Sequence, residues 1–327
     1  MLRIHFTSDD LTNVRIARHP DPLWEIVCSV SRLQTRDGAA LFDPWRRAAV
    51  TLLRRGGAAR AAVAALRSLV PYAGYFPDFL TPAAEDPTED LHSGIDQVLT
   101  TPRPRLHQEL TLLATDGARP WTGAELARGD VTALRALRGH LRTYHREFIA
   151  PMSNRIDAAT AADVSLRTRA LMDGGTRAML HTLRPMATWE SPVLTVDYPV
   201  VRDLYLNGRG LLLIPSYFCW RRPVALADDQ LRPVLVYPVD SPFSLPSAHR
   251  VPLSRLLGST RAALLCEAAV RGCPTTSELS AATGMSLPTV SEQLAVLRDG
   301  GLLVSRRDGK HVLHAVTPLG SRLLDCP

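Results

Sequence analysis

The sequence predicts an α+β chain in which a large, mostly helical N-terminal region with a small antiparallel β segment precedes a C-terminal unit that reads helix, turn, helix, hairpin. Three observations predict it. Through residue 188 apolar side chains recur at helical spacing between Pro and Gly breaks, at Trp189 short apolar runs replace that spacing, and beyond residue 273 capping and hairpin signals follow one another closely. With 327 residues and 46% hydrophobic content, the chain is large enough for two or three cores without disulfide staples.

In chain order, residues 2–6 read as an opening strand. Pro22 opens a helix over 23–33 and Pro44 another toward residue 53, because proline is tolerated in a first turn. Further helices are expected over 58–69, 88–99, 106–114, 131–149 and 153–172. Asp173-Gly174-Gly175 breaks the last of these, and a shorter helix runs to about residue 183. Strands are expected over 193–196, 203–206, 211–214 and 233–237. Asn207-Gly208-Arg209-Gly210 has the residues of a turn, so the two middle strands read as a hairpin over 203–218. The Pro- and Ser-rich run from Asp240 to Ser247 reads as a linker. These boundaries give an N-terminal effector or dimerisation domain over 1–247 (helical 1–188, strand-rich 189–239), a linker over 240–252 and a C-terminal domain over 253–327.

The C-terminal unit is written in local chemistry. Thr275 and Glu278 have the spacing of a capping box, and Gly284 supplies the permissive backbone of a sharp helix exit. Ser286 is placed to cap the next helix, with Pro288 in its first turn. Val290, Leu294 and Leu297 form its buried stripe, leaving Thr289, Ser291, Glu292, Ala295 and Val296 outward or toward the flanks. Short polar side chains at the start of a helix let its backbone approach base edges in a major groove. Gly300-Gly301 ends the helix, and strands over 302–307 and 310–316 are joined by Asp308-Gly309, a hairpin turn with Arg306, Arg307, Lys310 and His311 at its tip. That is the outline of a winged helix-turn-helix, with a basic tip suited to phosphates or the minor groove. The candidate DNA-binding residues are Ser286, Pro288, Thr289, Ser291, Glu292, Gln293, Arg298, Arg306, Arg307, Lys310 and His311.

The run Thr289-Val290-Ser291-x-Gln293-Leu294-x-x-Leu297-Arg298-x-Gly300-Gly301-Leu302-Leu303, followed by Arg306-Arg307-Asp308-Gly309-Lys310, resembles the DNA-binding region of ArsR-type transcriptional regulators over roughly residues 253–325. Glu292 departs from that pattern, where His, Gln or Arg is common; a carboxylate there accepts from a cytosine amine or favours the helix N-terminus. The N-terminal region is similar to the long region fused to ArsR-type motifs in some bacteria with GC-rich genomes, through Leu2-Arg3-Ile4-His5-Phe6, Asp9-Asp10-Leu11 and Pro22-Leu23-Trp24-Glu25. The resemblance implies a regulator that binds double-stranded DNA. A homodimer is expected because one winged motif makes too few contacts for specificity and two-fold operators match two-fold proteins; a repressor is expected, although the sequence does not give the sign of regulation. The resemblance also implies where metal ligands would lie, and 276–283 contains no Cys, while the residues after the hairpin are too few for the long terminal helix that carries ligands elsewhere in the family. Cys266 and Cys273 fall about 10 Å apart by helical rise and read as buried small hydrophobes. A non-metal-sensing protein is expected.

The remaining chemistry is sparse. Five scattered cysteines with no C-x-x-C pair argue against a disulfide framework. Neither G-x-G-x-x-G nor the P-loop pattern, G-x-S-x-G or H-E-x-x-H occurs, so no cofactor and no catalytic residue is expected. Aromatic residues gather in the strand-rich segment, where Tyr205, Tyr217, Trp220 and Arg221 suggest a small-molecule effector pocket, although aromatics also simply pack sheets. The chain lacks an apolar run long enough for a membrane span and opens without a signal-peptide stretch, so the cytoplasm is the expected compartment. Its formal charge of +6, with basic residues distributed along the chain, favours an anionic partner. The alternative to a non-enzymatic regulator is an enzyme that uses the winged helix to dimerise, like some small-molecule methyltransferases. A protein-interaction winged helix would have a neutral wing, against Arg306, Arg307 and Lys310.

Overall fold

A computed structural model describes residues 1–72, 75–82, 90–116, 123–239, 253–271, 274–308 and 311–324. The chain divides into two compact units, one of Met1–Asp37 with Pro44–Ser241 and the other of Gly38–Asp43 with Pro242–Pro327. The expected linker over 240–252 lies outside the described residues.

The larger unit begins β1 (Leu2–His5), α1 (Ser8–Thr12) and β2 (Val14–Ile16), followed by helices α2 (Pro22–Arg32), α3 (Ala39–Arg54, of which 44–54 fall in this unit), α4 (Gly57–Leu69), α5 (Leu91–Leu99), α6 (Arg103–Asp116), α7 (Ala124–Ala127), α8 (Val131–Tyr144) and α9 (Ser153–His181). Strands β3 (Ala187–Glu190), β4 (Val193–Val196), β5 (Arg202–Tyr205), β6 (Leu211–Ser216), β7 (Val224–Ala225) and β8 (Val234–Pro238) complete it. Helix starts follow their caps: Asp21, Asp90 and Asp130 each accept from two backbone amides of the helix that follows. Pro44 does not open its helix as expected. α3 starts at Ala39 and takes Pro44 inside, where the proline nitrogen donates no hydrogen bond to the helix. The helix expected over 131–149 becomes π-helical from His145 to Ile149. In α9 the backbone leaves helical geometry at Gly174 and Gly175, the break that Asp173-Gly174-Gly175 predicts.

The fold class stands, but the expected antiparallel β segment is two mixed sheets. In the first, ordered β3-β4-β1-β5, β1 runs antiparallel to β4 and parallel to β5. In the second, ordered β2-β6-β8-β7, β6 runs parallel to both β2 and β8. The hairpin expected over 203–218 is therefore not formed: β5 and β6 belong to different sheets. The glycines of the connecting segment serve a crossover instead. Gly210 has φ of 68° and lies so near Asn13 that a Cβ would stand 2.2 Å from its carbonyl oxygen. Its amide donates to buried Asp10 at 2.9 Å. Burial works to raise that carboxyl, but the amide and hydroxyl of Thr7 and the Gly210 amide outweigh it and hold Asp10 below the usual range. Leu2, Ile4, Leu194, Leu204, Leu211, Leu213, Leu235 and Tyr237 form one core with Met179 and Leu180 at the end of α9.

Other buried polar groups tie helices to strands. Asp163 on α9 accepts from Arg167 at 2.9 Å and from the Tyr237 hydroxyl at 2.5 Å, with both charged side chains fully buried. Glu25 on α2 accepts from the amides of Tyr217 at 2.8 Å and Phe218 at 3.1 Å. That clasp brings buried Cys219 beside buried Cys28, one turn beyond Glu25; the hydrogen bond with Cys28 and burial push the Cys219 thiol up. Burial lifts the Glu25 carboxyl to about 7 against the pull of those two amides, and lifts Asp21 to about 6. Both groups favour the protonated form when folded. The stability they contribute is complete below the ordinary carboxyl range and is lost as pH rises through about 6 to 7. The thermal midpoint of the larger unit should fall between pH 5 and pH 8, and Glu25→Gln should flatten the dependence in melts followed by circular dichroism. An unchanged slope in that variant would assign the effect to other groups.

Candidate nucleic-acid interface

The second unit contains α10 (Leu253–Leu257), α11 (Ser259–Arg271), α12 (Thr276–Thr283), α13 (Leu287–Asp299), β9 (Leu303–Asp308), β10 (His311–Val316) and α14 (Pro318–Leu324). The capping box forms: the Thr275 hydroxyl accepts from the Glu278 amide at 3.2 Å, and the Glu278 carboxylate accepts from the Thr275 amide at 2.7 Å. Gly284 leaves α12 in the left-handed region at φ 69°. Ser286 caps α13, its hydroxyl 2.8 Å from that of Thr289, and Pro288 lies in the first turn.

α13 is fixed by one stripe. Val290, Leu294 and Leu297 are buried against Leu264, Leu265 and Ala268 of α11, Leu279 of α12 and Leu303 of β9. The opposite face is open, with Ser286, Pro288, Thr289, Ser291 and Glu292 exposed and Gln293 half-buried. Arg298 is exposed in the last turn, its Nε 3.7 Å from Asp299. Arg306 and Arg307 are exposed on β9. The strands pair as far as Asp308 opposite His311, so β9 ends, and β10 begins, one residue later than expected. Gly309 and Lys310 themselves lie outside the described residues.

His314 was not a candidate from sequence, yet it joins the hairpin to α12. It is 4% exposed, with Nδ1 2.9 Å from the Ser305 hydroxyl and Nε2 2.9 Å from the Thr276 hydroxyl. Its amide donates to the Pro274 carbonyl at 2.9 Å, and Thr275 forms a bridge with Leu313. The signal available was the strand alternation, which puts residue 314 on the same face as residue 316. Burial, aided by the charge of Arg298, holds the His314 imidazole below its ordinary range.

The other candidates fall elsewhere. Tyr205 is exposed on β5 and stacks on His5, with ring centroids 4.4 Å apart. Tyr217, Trp220 and Arg221 belong to the segment after β6, where Tyr217 is buried edge-on to Phe218 and Arg221 is exposed at φ 61°. The structure thus gathers three of the four on one loop and places Tyr205 on the other sheet. Cys266 is exposed, not buried as expected, because α11 turns Leu264, Leu265 and Ala268 inward; Cys273 lies outside the described residues. Among the described residues no group of three or more His, Cys, Asp or Glu side chains is placed to hold a metal ion, and no helix is long and apolar enough to cross a membrane.

Comparison with known proteins agrees with this geometry. Residues 263–305 match the family described as bacterial regulatory protein, arsR family, and residues 79–243 match a family of unknown function, DUF5937. No curated protein and no solved structure matches the chain. The arsR-type domain supports a DNA-binding transcriptional regulator.

Because His314 is held neutral, its share of stability is present above the ordinary histidine range and is lost as pH falls through its lowered folded value. Protection factors of the β9 and β10 amides, taken relative to the slower intrinsic exchange at lower pH, should fall between pH 7.5 and pH 5, and His314→Gln, which does not titrate, should show no such fall. Equal pH dependence in both proteins would show that the histidine does not hold the hairpin.

Proposed function

We propose, for a chain that belongs to the DUF5937 family of unknown function and carries a bacterial regulatory protein, arsR family, domain, that it represses transcription as a homodimer in the cytoplasm. The observation that carries this reading is the open face of α13, short and polar over its first turns, on the same small unit as the exposed arginine pair of β9. α13 enters the major groove, where Ser286, Pro288, Thr289, Ser291, Glu292 and Gln293 meet base edges and the first phosphates. Arg298, Arg306, Arg307, Lys310 and His311 hold the backbone. Two copies read two half-sites, since a single winged helix makes too few contacts for specificity.

In this reading residues 253–327 bind DNA, and residues 1–247 dimerise the protein or sense a small molecule. The loop carrying Tyr217, Trp220 and Arg221 is the effector-responsive element, because Glu25 fastens it to α2 through two amides and a ligand that moves one moves the other. Tyr205 is not part of it. No metal and no cofactor takes part.

The test is fluorescence anisotropy with duplex DNA from upstream of the protein's own gene and with a scrambled duplex. The upstream duplex should bind more tightly at both low and moderate salt. Arg306→Ala/Arg307→Ala should weaken both duplexes and reduce the slope of log K against log salt by about 2, at roughly 0.9 per phosphate contact. Equal, salt-erased binding of the two duplexes would sink the sequence-specific reading, and an unchanged slope would remove the hairpin from it.

A further inference from the structure

Basic residues occur throughout the chain, but their excess over acidic ones does not. Residues 44–77 contain six arginines and no aspartate or glutamate, which leaves 32 basic against 32 acidic residues in the rest of the chain. Residues 253–327, the winged-helix part, carry eight basic and six acidic side chains and are only weakly cationic. The net charge of the whole molecule therefore equals that of one segment spanning most of α3 and all of α4.

The segment presents that charge to solvent. Arg46 is turned back onto the Arg32 and Asp37 carbonyls, whereas Arg47, Arg54, Arg55, Arg60 and Arg67 are exposed and, among the described residues, make no ion pair. Arg47 and Arg54 lie two turns apart on α3, as do Arg60 and Arg67 on α4, each pair spanning about 10 Å by helical rise. An open groove of about 400 Å³ lies between the two helices, floored by Val50, Leu53 and Val63 and flanked by Arg54, Arg60 and Arg67. The first turn of α4 adds to the positive field, since its cap is Gly56 with no side-chain oxygen on the amides.

We infer that this α3–α4 groove is a second contact with the DNA backbone, made by the larger unit and independent of sequence. The inference rests on the DNA-binding reading above. A groove with an apolar floor and cationic rims fits a sugar-phosphate strand, whose sugars lie on the floor while its phosphates reach the arginines. The same groove of a second copy does not fit there, because it would set like charge against like. Such a contact with DNA would add to those of the weakly cationic winged helix, since each further phosphate neutralised raises the affinity for DNA.

The experiment uses the full chain and a scrambled 40-base-pair duplex at several salt concentrations, so that no operator need be known. Arg54→Ala/Arg55→Ala/Arg60→Ala/Arg67→Ala should bind at least tenfold more weakly at moderate salt, with a log K against log salt slope smaller by about 2 to 4. The corresponding four-lysine variant should retain most of both. Should the quadruple alanine variant fold poorly by circular dichroism, Arg60→Gln/Arg67→Gln carries the same expectation at about half the size. Slopes unchanged in these variants while Arg306→Ala/Arg307→Ala loses its own would overturn the groove contact and leave the winged-helix reading intact. No binding by the wild-type chain at the lowest salt would overturn both. Unchanged DNA binding with loss of binding to phosphatidylserine vesicles would assign the groove to a lipid surface and overturn the inference.

Discussion

The larger unit depends on two stretches of chain, residues 2–16 and 202–216, running side by side. Each begins as a strand of one sheet and ends as a strand of the other, with β1 beside β5 and β2 beside β6, parallel in both places. The crossing point is fastened where the Gly210 amide meets the buried Asp10 carboxylate, which its amide and hydroxyl donors keep ionised. Without that ionised group the two crossovers would set a carboxyl against a close backbone and leave an amide unmet in the core. The helices are then seated on a framework whose two halves cannot slide, and the Glu25 clasp and the Asp163–Arg167–Tyr237 cluster fasten α2 and α9 to it.

The two units differ in how far their own sequences announce them. In the winged helix the boundaries of α12 and α13 are set by residues within a few positions of them: Thr275 with Glu278, Gly284, and Ser286 with Pro288, while Val290, Leu294 and Leu297 mark the buried stripe. The exposed face of α13 and the arginines of β9 could therefore be read directly. His314 could not, because its role comes from Thr276, which reaches it across the unit.

In the larger unit most helices were legible from their apolar spacing and their Pro and Gly breaks, but the aspartate caps and the sheets were not. Asn207-Gly208-Arg209-Gly210 has the composition of a hairpin turn, and only the approach of Asn13 shows why a glycine is required at 210. Strand direction and partner are properties of distant residues, and period-2 alternation is silent about them. Cys266 was misjudged for a related reason, since the inward face of α11 is chosen by its neighbours. The charge of the chain was legible as a sum but not as a place, until α3 and α4 were seen to flank one groove with their arginines outward.

The pairing of residues 2–16 with 202–216 also governs when the protein can form. β1 lies between β4 and β5, so the first strand has no hydrogen-bonded neighbour until nearly two hundred residues later in the chain. Closing a loop of that size is entropically costly, and folds dominated by such contacts form slowly. The winged helix, built from contacts among its own consecutive elements, belongs to the fast class. During synthesis the helices of the larger unit emerge before the strands that complete their core, exposing apolar faces meanwhile, so the slow unit is the one most in need of protection from aggregation while it waits.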